Sequence, residues 1–543
     1  EKNGLELPLL EAEWYMDVSV YSLYVDLFNN DFQGLTARLD YLERLGVNCL
    51  WLLPILDSPM KDAGFDISDY QNIRPELLGL SNNSGKPERE KVFSDFLVAA
   101  KKRNIHVIFD IAINHTSDQH PWFLESRKST DNPYRDYYIW SQDTGQYKDA
   151  RIIFKGLCES NWEKDGDWHF FHRFFEFQPD LNYRNPKVLL EMSGNMIYWL
   201  KLGVDGFRAD AIPYLWKEEG TACENLPGTH TIVQFFRAVL DYFRPNSLLL
   251  AEACQKPNDV VKYFGEGDEC NAGYHFPLMP QMFKALAMQS NAPVMNILSR
   301  EVTPLIPEIA QWFTFLRCHD ELSLELVYVS EEDREYIHDN YCKNPLWDFR
   351  LGQGISARLA ELFDRNPDRI LLAYSLMLSL PGTPVIYYGD EFGKTNDEKY
   401  YKEMIRLTGK DDTRFLVRGK INWDHIDHAL SDKTSYEGLI FENLSRMINT
   451  RKLYFAFGRG LINYVKMLYP DDQICDKIFA YYRTNACERL LIVQNLSDEE
   501  VTIKTPNSKL YPFEKDLLDH ALVFDEEREV MIIPPYTYYW ILT

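Results

Sequence analysis

The chain has 543 residues, 45% hydrophobic and 26% charged, a balance typical of folded globular domains and too long for a single core. Its 82 acidic residues against 58 basic ones give a net charge of −24, which argues against nucleic acid or an anionic membrane as the main partner. The most apolar run, residues 370–380, stops at Pro381 and is too short to cross a bilayer.

Apolar strand-like runs alternate with helical patterns. Residues 18–25 read as a strand, followed by a helix whose apolar face carries Leu35, Leu39, Leu42 and Leu45. Further strands are expected at 49–55, 106–113, 203–211, 247–253, 273–276, 314–320 and 384–391, with helices at 93–103, 187–202 and 231–243 among the intervening segments. Eight strands alternating with helices point to an α/β fold, a closed (β/α)8 barrel of parallel strands. The interruption after the third strand, residues 116–185, is rich in Trp, Phe, His and Asp and is too long for a plain loop. It reads as an inserted subdomain between barrel segments 1–115 and 186–457. After a helix at 441–453, short strands at 477–482, 490–494 and 530–533 predict an all-β C-terminal domain, a sandwich over 458–543.

The nine cysteines form no CxxC pair and several sit in strand-like runs, which predicts buried thiols rather than a disulfide scaffold or zinc site. With no charged-then-apolar leader at Glu1, a cytoplasmic address is expected.

Ionisable groups gather at the C-terminal ends of these strands. Asp66 follows the second, Asp110, Asn114 and His115 lie at and past the third, and Arg208 and Asp210 end the fourth. Glu252 ends the fifth, and His319 and Asp320 the seventh. In a parallel barrel these ends converge on one face. Such a set suits glycoside cleavage with retention, in which one carboxylate attacks the anomeric carbon and a protonated one, about 5 Å away, serves the leaving oxygen. Arg208 should lower the pKa of Asp210 and keep it ionised as the nucleophile, whereas Glu252 between two alanines suits the acid. Asp320 is placed to stabilise the cationic transition state, and His115, His319 and Asp66 to bond sugar hydroxyls. Any one strand-end Asp is more often a loop cap or ion-pair partner. Asp110 reads as the anchor of Arg208, His106 as structural, and the aromatic run 168–177 as packing.

The segments Asp110-Ile-Ala-Ile-Asn114-His115, Gly206-Phe-Arg208-Ala-Asp210-Ala211, Leu250-Ala-Glu252-Ala and His319-Asp320 resemble the four signature regions of the α-amylase family (glycoside hydrolase family 13). The resemblance implies Asp210 as nucleophile, Glu252 as acid/base and Asp320 as stabiliser, with a small α-glucoside or malto-oligosaccharide as substrate. Stretches such as 114–123, 219–227 and 315–322 are most similar to the trehalose synthases of that family, which interconvert maltose and trehalose. The alternatives are a hydrolase or transglucosidase on maltose, isomaltose or short α-glucans, and an inactive sugar-binding relative. Arg418, in Arg418-Gly-Lys-Ile-Asn-Trp423, matches the arginine of the segment the family carries after its eighth strand, and so implies sugar binding. Where the family holds calcium, the resemblance gives Asn114 and Asp180 as ligands. The family's calcium loop after the first strand is reduced to residues 29–33, and Lys217 stands where trehalose synthases carry an acidic residue. No cofactor is therefore expected. The sequence is compatible with a homo-oligomer.

Overall fold

The computed structural model describes residues 9–81, 84–154, 156–504, 516–525 and 529–543. Eight parallel strands close into a barrel: β1 (Val20–Leu23), β2 (Cys49–Leu52), β3 (His106–Ala112), β4 (Gly206–Asp210), β5 (Leu248–Ala251), β6 (Ala272–Tyr274), β7 (Gln311–Phe315) and β8 (Thr383–Tyr387), each paired with its chain neighbours and β8 with β1. Strands β1, β2, β5, β7 and β8 are buried along their whole length, because helices cover one face and side chains fill the interior.

Helices begin earlier than apolar spacing alone predicts. Those at Lys86–Lys101, Pro227–Phe243 and Tyr436–Leu453 start where proline enters the first turn or Ser435 Oγ accepts from Gly438 N. The single helix expected over residues 35–45 is two, Phe32–Ala37 and Leu39–Leu45, broken at Arg38; all four leucines remain buried.

The seventh strand is displaced from its expected position. It ends at Phe315, so His319 and Asp320 lie on the loop beyond it. The run stays buried off the sheet because the Arg317 guanidinium bonds Ala357 O at 2.7 Å and Asp320 O at 2.6 Å. Likewise β8 stops at Tyr387, where Gly389 (φ 89°) turns the chain into a short helix over Asp390–Phe392.

Between β3 and β4, strands Trp140–Ser141, Trp162–Asp165 and Trp168–Phe171 form a small antiparallel sheet. The C-terminal part is all β. Strands β9 (Leu461–Val465), β10 (Ile478–Thr484), β11 (Arg489–Asn495) and β15 (Tyr538–Leu542) form one sheet, and β12 (Val501–Lys504), β13 (Val523–Asp525) and β14 (Val530–Ile533) another. Their apolar side chains share one cluster that includes Ala480, Val493, Ile503 and Ile533. Among the described residues no helix is long and apolar enough to cross a membrane.

Candidate active site

The floor of the site follows from strand register. Asp110 on β3 is the register partner of Arg208 on β4, so their side chains leave the sheet on the same face. One guanidinium nitrogen, Arg208 Nη1, donates to Asp110 Oδ1 and to Asp210 Oδ1, each at 2.6 Å. Trp51 Nε1 on β2 donates to the other Asp110 oxygen at 2.8 Å.

Glu252 stands one residue beyond β5. Its Oε1 is 3.7 Å from Arg208 Nη2 and accepts from Cys254 Sγ at 3.3 Å, while Oε2 accepts from Ala211 N at 3.0 Å. Three carboxyl groups thus surround one guanidinium, and a single positive charge cannot neutralise them all. Burial, offset by Arg208, raises Asp110 to about 6. Asp210 also rises well above the ordinary carboxyl value: burial pushes it up, Arg208 pulls it back, and Glu252 and Asp110 push it up again. The expectation that Arg208 alone keeps Asp210 low is corrected here, because burial outweighs the ion pair.

Asp320 behaves oppositely. Burial raises its pKa, but His319, Arg414, Arg418 and Arg208 outweigh burial and hold it well below the usual range. Its Oδ1 accepts from Arg414 Nη1 and Arg418 Nη2, each at 3.1 Å, and its Oδ2 lies 3.1 Å from His319 Nε2. Burial lowers His115 to about 4 and His319 to about 3, so both rings are neutral at pH 7 and can each donate one hydrogen bond.

Asp210, Glu252 and Asp320 line one cavity of about 130 Å³, together with Arg208, His115 and His319. Aromatic walls come from Trp51, Phe65, Phe154, Phe174, Tyr274 and Phe276. Ion pairs bridge its rim. Arg151 of the inserted segment lies 3.5 Å from Glu325 beyond β7, Arg350 Nη2 bonds Glu325 at 2.8 Å, and Arg350 Nη1 bonds Ile153 O at 2.9 Å.

Two sugar-binding expectations change. Asp66 does not line the cavity: Ser58 Oγ, Lys61 N and Asp62 N donate to its carboxylate at 2.9, 3.0 and 3.1 Å. Those bonds fold the loop that presents Asp62, and Asp62 faces the cavity with Arg414 Nη2 3.6 Å away. Arg418 is 2% exposed, bonded to His319 O and Asp320; it supports the cavity, and Arg414 is the arginine that lines it. Asp62 stands four residues before Asp66, and Arg414 four before Arg418, so each lies close in sequence to the residue expected in its place. Trp51, Tyr274 and the rim pairs carried no sequence signal apart from the core. Phe174, within the aromatic run 168–177 expected only to pack, is also a wall residue. Asn114 and Asp180 lie off the cavity, joined through Lys217 Nζ, 2.8 Å from Asn114 Oδ1 and from Asp180 Oδ2.

The α-amylase catalytic-domain model matches residues 28–436. The chain belongs to the α-amylase family. It is an enzyme of glycoside hydrolase family 13 type, and the C-terminal domain model of the α-amylase SusG matches residues 478–537. A trehalose synthase/amylase, TreS, from Mycobacterium tuberculosis (strain CDC 1551 / Oshkosh) is 46% identical over 70% of this chain and 63% of its own length. A trehalose synthase from Thermus thermophilus is 38% identical over 90% of this chain and 51% of its own. The chain therefore spans less than two thirds of these two relatives. In fold, it is similar to the trehalulose synthase MutB from Pseudomonas mesoacidophila MX-45, with a TM-score of 0.72 and 21% identity over 98% of this chain and 100% of that one.

Proposed function

We propose that the enzyme cleaves an α-glucosidic bond with retention and transfers the glucosyl unit, interconverting maltose and trehalose. The observation that carries this reading is Asp210 bonded to Arg208 Nη1 at 2.6 Å with Glu252 3.7 Å from Nη2 of the same guanidinium, both lining one cavity. The Asp210 carboxylate attacks the anomeric carbon as the glycosidic bond breaks, and Glu252 gives its proton to the departing oxygen. A hydroxyl of the released glucose then attacks the glucosyl–Asp210 ester, returning its proton to Glu252 and freeing Asp210. Asp320, held ionised by its arginines, faces the positive charge that develops on the ring. Asp62, His115 and His319 bond ring hydroxyls.

Transfer without hydrolysis requires that the freed glucose stay while water is kept out. The rim pairs Arg151–Glu325 and Arg350–Glu325, with Arg350 bonded to Ile153 O, support that half of the reading, as do the trehalose synthase relatives. Nine free cysteines, most of them buried, suit a reducing compartment. The test is to incubate the protein separately with maltose, trehalose and isomaltose and to identify the products. Trehalose formed from maltose is expected; glucose as sole product would overturn isomerisation, and no product from any of the three would overturn catalysis.

A further inference from the structure

The resemblance to the family implies a calcium ion held by Asn114 and Asp180, and the residues present do not fit one. Calcium takes six to eight oxygen ligands at about 2.3–2.6 Å. Here Asn114 Oδ1 and Asp180 Oδ2 both face Lys217 Nζ at 2.8 Å. The other Asp180 oxygen accepts from Arg173 N at 2.9 Å. Lys217 is 4% exposed and Asp180 fully buried, so the one carboxylate charge is already matched by one ammonium, and a divalent ion would have to evict a buried amine. A further cation stands close behind, as Arg184 donates to Lys217 O at 2.9 Å. On the reduced loop after β1, Asp31 Oδ1 accepts from Gly34 N and Asn29 Nδ2 donates to Gly34 O, so these side chains hold a helix start.

We propose that the Lys217 ammonium is a built-in replacement for the family's calcium, fastening the inserted segment to the barrel without any bound metal. Three stretches of chain meet at this one nitrogen. Asn114 follows β3, Asp180 closes the inserted segment, and Lys217 follows β4. The first two are also stitched by backbone, with Leu181 N bonding Asn114 O at 2.8 Å and Thr116 N bonding Pro179 O at 3.2 Å. His115 sits between these stitches and lines the cavity. The ammonium therefore braces the segment that presents His115, and it does so independently of which glucoside reaction the cavity performs.

The test uses the purified full chain and reads metal content and melting, not turnover. After dialysis against EDTA, calcium is measured by atomic emission, and melting temperatures are compared in EDTA and in millimolar calcium. The wild-type protein is expected to retain no stoichiometric calcium and to melt at the same temperature in both buffers. Lys217→Met, which keeps the stem and removes the charge, should melt lower by about 3–4 °C, because it leaves Asp180 buried and unpaired. One calcium retained per chain, a wild-type melting point that falls in EDTA and recovers with calcium, or a Lys217→Met protein as stable as wild type would each overturn the proposal. Should the variant fail to fold, the wild-type metal content and EDTA comparison decide.

Discussion

Ala211 N–H donates to Glu252 Oε2 at 3.0 Å, from a backbone held at φ 56° directly after Asp210. A non-glycine residue in the left-handed region is uncommon and persists where its surroundings enforce it. Here the turn aims the amide that follows one carboxylate at the other. The two acids are thereby held by one short stretch of chain, although they lie 42 positions apart in sequence.

That coupling separates the roles of the two residues. Glu252→Gln keeps the bond from Ala211 but removes the proton donor, and should cut maltose turnover by roughly 10²–10⁴-fold. A glucoside with a good leaving group needs no proton, so its first step should largely survive in Glu252→Gln. Asp210→Asn should lose both substrates. Burst kinetics with an aryl glucoside distinguish the cases, and equal losses on the two substrates in Glu252→Gln would refute the acid assignment.

The crowded charge around Arg208 sets the pH profile. Asp210 must be ionised to attack, and burial together with Glu252 and Asp110 raises its pKa above the usual carboxyl value. The acid limb of the kcat/KM profile should therefore lie at higher pH than an exposed aspartate would give. Asp110→Asn removes one of the negative charges that raises Asp210 while keeping an oxygen to accept from Arg208 Nη1, so the acid limb should move to lower pH. A limb that stays fixed in that variant would show that another group controls it.

Asp62 and Asp66 divide binding from folding. Asp62→Ala takes a carboxylate from the cavity wall and should reduce kcat/KM. It loses the one side-chain bond from Gln178 Nε2 at 3.0 Å, which should lower the melting temperature less than Asp66→Ala does. Asp66→Ala strips the acceptor from Ser58 Oγ, Lys61 N and Asp62 N, which should cost about 1–3 kcal/mol of stability. Melting curves and steady-state kinetics on both variants check the division; the reverse pattern would restore Asp66 as the sugar ligand.

On the proposed transfer reaction, closure of the rim should govern the fate of the released glucose. Glu325→Gln weakens the ion pairs to Arg151 and Arg350 at 3.5 and 2.8 Å while keeping the side-chain volume. Water should then compete better for the glucosyl enzyme, and the ratio of free glucose to trehalose formed from maltose should rise several-fold. An unchanged ratio would mean that water is excluded deeper in the cavity.

What was legible in the sequence was what strand order controls. Seven of the eight barrel strands lie within a few residues of their expected positions, because buried parallel strands are continuous apolar runs, and Asp110, Arg208 and Asp210 gain their geometry from register alone. Asp320 was located by its motif although its strand was misplaced, since apolarity continues through Leu316 while Arg317 lifts the chain from the sheet. The Asp66 to Asp62 exchange was illegible: both are acidic loop residues, and only the hydrogen bonds reveal which one folds the loop. The rim pairs are equally silent, because Arg151, Glu325 and Arg350 belong to loops whose approach no local pattern encodes.

Glu391, just past β8, supplies a stability prediction independent of catalysis. It is fully buried, accepts from Tyr21 OH at 2.6 Å, Tyr41 OH at 2.8 Å and Gly389 N at 2.7 Å, and burial raises its pKa from 4.5 to about 7 despite these donors. The native state thus holds this proton more tightly than the unfolded chain. Its contribution is full below about pH 4.5 and is lost as pH rises through about 7. A shift of that size corresponds to roughly 3 kcal/mol. Glu391→Gln cannot titrate, so the loss of stability between about pH 5 and pH 8 should be smaller in the variant by roughly 2–3 kcal/mol. Asp62 and Asp110, raised to about 6, titrate in both proteins and cancel in the difference. Urea unfolding at the two pH values measures it, and parallel losses in the two proteins would mean that Glu391 stays ionised in the fold.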